Sequence, residues 1–94
     1  MARTTISLHE AKVFHLLKTN KDKWLSHGEI ADALKPISDR TVRAHVLRLT
    51  RDGIVEVAKL FPHHKHRFVD KVGKTNREYV TRLDQAVALF GLPA

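Results

Sequence analysis

The chain contains no cysteine, which excludes a disulfide framework, a thiol nucleophile and a thiolate zinc cage. Glycine is scarce, with four residues in 94; they form neither a phosphate-cradling loop nor a Gly/Ser linker. The longest unbroken apolar run is Ala86-Val87-Ala88-Leu89-Phe90, whereas a membrane-spanning helix needs roughly 20 such residues. Met1-Ala2-Arg3-Thr4-Thr5 lacks the apolar stretch of a secretory signal. Acidic residues number ten and are dispersed among helix ends and turns, not paired for acid–base work. The expectation is a cytoplasmic protein that is not an enzyme and uses no cofactor. At 43% hydrophobic and 29% charged residues, the composition fits one soluble domain spanning residues 1–94.

Positive charge is what the chain has in excess. Seventeen Lys and Arg against ten Asp and Glu give a formal charge of +7, with seven histidines besides and an isoelectric point near 10.2. Such a balance points to a polyanionic partner. The charge is also patterned. Arg40, Arg43, Arg48 and Arg51 face Asp39 alone between Ile37 and Arg51, and Lys65, Arg67, Lys71, Lys74 and Arg77 face Asp70 alone between Leu60 and Arg77. From Trp24 to Leu34 the sign reverses, with Glu29 and Asp32 and no Lys or Arg.

Capping chemistry marks four helix starts. Ser7-x-x-Glu10, Ser26-x-x-Glu29 and Thr81-x-x-Asp84 fit the pattern in which a side-chain oxygen takes an orphan helix N–H, and Ser38 precedes Asp39-Arg40-Thr41 in the same way. Leu25 with Ile30, and Ile37 with Val42, have hydrophobic-staple spacing. The first helix is expected from about Leu8 to Thr19, with Val13, Phe14, Leu16 and Leu17 as its apolar arc. A brief strand at Trp24-Leu25 and a short helix from His27 to Leu34 follow, ended by Lys35-Pro36-Ile37. A third helix runs from Asp39 to about Asp52 and ends at Gly53. Its seam is Val42, Val46 and Leu49; Arg40, Ala44, Arg48 and Arg51 lie opposite, with Thr41 at the edge.

After Gly53 the period changes. Ile54 to Phe61 reads as a strand, and His66 to Val72 and Arg77 to Thr81 also read as extended, separated by a turn at Gly73-Lys74-Thr75-Asn76. Whether the chain reverses near Pro62 or near Gly73 stays open. Trp24 is assigned to the core, and Phe68 and Tyr79 to hairpin packing. A last helix from Arg82 to Phe90 carries Leu83, Ala86, Val87 and Phe90 on one stripe.

From Ser26 through about Arg67 the sequence resembles the winged helix-turn-helix DNA-binding domains of bacterial and phage regulators. The likeness is carried by Ser26-His27-Gly28-Glu29-Ile30-Ala31-Asp32-Ala33-Leu34, by Ile37-Ser38-Asp39-Arg40-Thr41-Val42-Arg43-Ala44-His45-Val46, and by Leu49-Thr50-Arg51-Asp52-Gly53-Ile54-Val55. Lys35-Pro36-Ile37 departs from the more usual glycine-containing turn. The resemblance implies an α+β fold: a three-helix core with residues 26–53 as the helix-turn-helix, 54–81 as a basic β-hairpin wing, and 82–90 as an extra C-terminal helix. The helix led by Ser38 is then the recognition helix.

A major groove about 12 Å wide admits one such helix. Arg40 is expected to bond guanine, Ser38 and Thr41 to bond phosphate or a base, and Ala44 to meet a thymine methyl. Arg43, Arg48 and the wing residues His64, Lys65, His66 and Arg67 are expected on phosphates. His63-His64-x-His66 offers too few ligands for metal, since no cysteine or nearby carboxylate pair completes four. The partners implied are double-stranded DNA and a second copy of the chain, joined through Leu83, Val87 and Phe90; neither a membrane nor a small-molecule effector is indicated. The same C-terminal stripe also suits closure of the domain's own core. The expected function is transcriptional regulation. The alternatives are a small phage or plasmid replication or packaging subunit, and a winged-helix protein-interaction module that does not bind DNA.

Overall fold

A computed structural model of the chain describes residues 6–59, 64–69 and 77–92. It is a small α+β structure with seven elements among those residues: α1 (Leu8–Thr19), β1 (Leu25–Ser26), α2 (His27–Ala33), α3 (Asp39–Arg51), β2 (Val55–Ala58), β3 (Lys65–Phe68) and α4 (Arg77–Phe90). The strands form one antiparallel sheet in the order β1-β3-β2.

The three serines start three helices. Ser7 accepts from the Glu10 amide and Ser38 from the Thr41 amide, while Ser26 and Glu29 close a reciprocal capping box. Each bond satisfies an N–H that the first helical turn otherwise leaves unmade. Stops are equally local. Gly53 adopts φ +78° after α3, and the Ile54 amide then returns to the Leu49 carbonyl at 3.0 Å. Gly91, at φ +66°, does the same for α4, with the Leu92 amide bonded to the Val87 carbonyl. Only a residue free of a Cβ takes this left-handed geometry without strain.

The helices bury the faces their apolar spacing dictates. Val13, Phe14 and Leu17 of α1, Ile30 of α2, and Val42, Val46 and Leu49 of α3 are buried in one core with Ile54 and Val55. Phe68 of β3 packs partly buried against this core and meets Phe14 edge-on, with 6.1 Å between ring centroids. Helix α1 packs against α3 and α4, and α2 against α3.

The last third departs from the sequence reading. Residues 77–81 are helical, not extended; α4 begins at Arg77, and Thr81 lies inside it and caps nothing. Tyr79, Leu83 and Ala86 are its buried residues, at i, i+4 and i+7. Tyr79 therefore belongs to the core, not to a hairpin. Helical burial of this stripe outweighs the β preference of Tyr79-Val80-Thr81, which is worth only about 1 kcal/mol or less per residue. The hairpin is correspondingly shorter than residues 54–81. Val55 pairs with Phe68 and Ala58 with Lys65, so the chain reverses between Ala58 and Lys65. The proposed turn at Gly73–Asn76 lies outside the described residues.

Candidate nucleic-acid interface

Helix α3 is built to present one face. Its buried seam of Val42, Val46 and Leu49 turns Arg40, Arg43, Ala44 and Arg51 outward, and all four are exposed. At about 100° per residue, Leu47 falls in the middle of this arginine face and is 54% exposed. Sequence reasoning passed over Leu47. The signal was available, because it stands seven residues after Arg40 and off the buried seam.

At the head of α3, Ser38 and Thr41 are engaged with each other. The Ser38 hydroxyl donates to Thr41 Oγ1 at 2.9 Å and accepts from the Thr41 amide at 3.3 Å. Both residues hold the helix start while standing beside Arg40. Arg48 is different from the other arginines of α3. Its side chain turns back toward the core, with Nε 3.9 Å from Glu10 Oε2 and Cζ 4.8 Å from the Tyr79 ring centre.

The β2–β3 hairpin is tied to the front of α2, since Leu25 pairs with His66 and Ser26 with Lys65. Of the four hairpin residues expected on phosphates, His64 is exposed and Lys65 half-buried. His66 is 3% exposed and faces inward against His27, so it cannot meet a phosphate. Strand alternation explains this reversal: with Phe68 against the core, His66 shares its side and Lys65 and Arg67 take the other. Arg67 forms an ion pair with Glu56 and lies 4.4 Å over the Trp24 ring; its charge is already partnered. Trp24 is half-buried beneath it. His63, Lys71 and Lys74 lie outside the described residues.

Burial sets the electrostatics of the junction. The His66 imidazole is pushed down from 6.5 to about 4, first by burial and then by His27 and His64. His27 is lowered as well, by burial and then by Arg43, with Asp39 opposing and His64 adding to the effect. Both rings are therefore neutral at pH 7. Glu29 is lowered chiefly by its bonds to Ser26, which stabilise the carboxylate. Among the described residues, no group of three or more His, Asp or Glu side chains converges as a metal site.

The stripe assigned to dimerisation divides. Leu83 is fully buried in the chain's own core, so it cannot meet a second copy. Val87 is partly buried against that core, and Phe90 is exposed beside Leu89, which is 86% exposed. Leu89, Phe90 and Ile6 line an open groove with Arg82, Gln85, Ala86 and Ala88. No helix among the described residues is long and apolar enough to cross a membrane.

No protein-family model matches the chain, and no curated protein does. Solved structures do. The ferric uptake regulator of Francisella tularensis, determined with iron, is 17% identical at a TM-score of 0.66, covering 100% of this chain and 87% of that one. A mutant of Lactococcus lactis ZitR is 15% identical at a TM-score of 0.56, covering 97% of this chain and 62% of that one. The four helices and three-stranded antiparallel sheet of the described residues thus form a fold shared with the ferric uptake regulator and ZitR.

Proposed function

We propose that the chain is a sequence-specific double-stranded DNA-binding protein that regulates transcription, in a bacterium, phage or plasmid. The observation that carries this reading is the outward face of α3, where Arg40, Arg43 and Arg51 are exposed beside a capped helix start. In this reading α3 is the recognition helix, its first turns enter the major groove, and the β2–β3 hairpin is the wing on the phosphate backbone. The fold shared with a ferric uptake regulator and ZitR supports it. Arg40 and Ala44 meet base edges, Arg43 and Arg51 meet phosphates, and Lys65 with His64 forms the cationic part of the wing. Ser38 and Thr41 contribute through the helix start they hold. The protein is cytoplasmic, carries out no catalysis and requires no cofactor. It acts as a homodimer joined at the exposed end of α4 by Phe90 and Leu89, because one recognition helix seldom supplies specific affinity alone.

The test is selection of duplex from a random-sequence pool. Enrichment of one palindromic site, bound with a steep salt dependence, is the expected result. Duplex binding without any enrichment would favour a replication or packaging subunit. A protein-interaction module is favoured by one observation, the apolar Leu47 at the centre of the arginine face. Failure to bind any duplex at low salt would decide for that reading.

A further inference from the structure

Glu10 is a carboxyl group with no access to solvent, placed on α1 where a helix start asks only for surface charge. Two other helices attach to it. The Tyr79 hydroxyl of α4 donates to Glu10 Oε2 at 2.6 Å, and Arg48 Nε of α3 stands 3.9 Å from the same oxygen. The Arg48 guanidinium also lies over the Tyr79 ring, 4.8 Å from its centre. One buried oxygen therefore joins α1, α3 and α4, and the contact between α3 and α4 closes the triangle. A buried carboxyl without such partners is strongly unfavourable, so the three groups must keep their relative places for the core to persist.

We propose that Arg48, Glu10 and Tyr79 are a positioning set that fixes the orientation of α3 against α4, so that Arg48 affects DNA recognition through the seating of the recognition helix and not by touching phosphate. This inference rests on the DNA-binding reading above. It assigns to Tyr79, a buried residue of α4 outside the arginine face, an influence on which base pairs are read. It also provides a route by which a change at α4 reaches α3. Base contacts tolerate little misplacement of the side chains that make them, whereas phosphate contacts are far less exacting.

The experiment measures affinity for the selected site and for random duplex over a salt series, using wild type, Tyr79→Phe, Arg48→Ala and the double variant. Tyr79→Phe keeps the ring and removes only the hydroxyl, so it remains informative if Arg48→Ala fails to fold. The expected result is a loss of about tenfold on the selected site for either single variant. Random-duplex affinity and the salt slope stay unchanged, and the double variant is no worse than Arg48→Ala alone. Three outcomes would overturn the proposal: unaltered site affinity in Tyr79→Phe, additive losses in the double variant, or a slope flattened by about one unit in Arg48→Ala. The last would make Arg48 a phosphate contact. Absence of wild-type binding to either duplex is a distinct failure, which removes the DNA-binding reading and this inference with it.

Discussion

His66 of β3 meets His27 of α2 edge-on, with 4.6 Å between ring centroids and 60° between planes. Both ring nitrogens of His66 and Nδ1 of His27 are buried without a hydrogen-bond partner among the described residues. Two neutral imidazoles thus close the junction where the hairpin joins the helical core.

Acid should open that junction. The folded pKa of His66, about 4, lies below its ordinary 6.5, so the unfolded chain binds the proton more readily between those values. Stability is therefore full above pH 6.5, declines as pH falls through the window, and loses at most about 3 kcal/mol from this residue by pH 4. His66→Phe, which removes two unsatisfied nitrogens, should match or exceed wild type at pH 7 and melt with a flatter profile between pH 6.5 and 4. Thermal melts across that range check it; an unchanged profile in the variant would assign the acid sensitivity to other groups.

The Ser38 cap separates folding from recognition. Ser38→Ala should lower the stability of the free protein by about 1 kcal/mol. Ser38→Asp keeps an acceptor for the Thr41 amide, so urea denaturation should return near the wild-type midpoint. Its carboxylate beside Arg40 adds negative charge at the helix end that the DNA-binding reading sends into the groove, and should weaken duplex binding more than Ser38→Ala does. Equal DNA affinities for the two variants would remove Ser38 from the interface.

Helix and hairpin should fail in different ways. Arg40→Ala should cost about 1–3 kcal/mol on the selected site and relax preference at one base pair per half-site. Lys65→Ala should weaken selected and random duplex alike and flatten the salt slope by about one unit per bound protomer. Titrations of both variants on both duplexes at several salt concentrations distinguish the two. If Arg40→Ala loses equally on both duplexes, it is a phosphate contact.

Assembly can be tested without touching the core. Leu89 is 86% exposed, so Leu89→Glu should leave the melting temperature within a few degrees of wild type. Light scattering should then report a monomer where wild type is a dimer, with binding to a palindromic site much reduced. A wild type that is monomeric at high micromolar concentration would remove the homodimer. Leu83→Ala is the contrasting case: that side chain is fully buried, and its truncation should cost about 2–5 kcal/mol of stability whatever the oligomeric state.

What the sequence disclosed was local. Ser7, Ser26 and Ser38 announce their helices because a cap and the amide that donates to it lie three residues apart, and α1 and α3 begin where those caps place them. Val42, Val46 and Leu49 are legible for the same reason, since a buried seam repeats within one helix. Two features were not local. Glu10 sits where a first-turn acid usually faces water, and its partner Tyr79 is 69 residues away. Lys65-His66-Arg67 offers no hydrophobic contrast to say which side of the strand faces inward, so the sequence alone places His66 with its basic neighbours on phosphate. The start of α4 was recoverable, because Tyr79, Leu83 and Ala86 already carry helical spacing. The β preference of Tyr79-Val80-Thr81 concealed it.

Ser26 is at once the last residue of β1 and the cap of α2, and its strand partner is Lys65 on the central strand of the sheet. No residue is left between sheet and helix to act as a hinge. Helix α2 in turn packs against α3, so on the DNA-binding reading the sheet and the two helices present a common calibre. A duplex whose groove is too wide or too narrow for it must deform to be held, and the energy of that deformation depends on its sequence. Base pairs that no side chain touches would then be selected by stiffness, measured against a gauge whose strand and helix meet at a single serine.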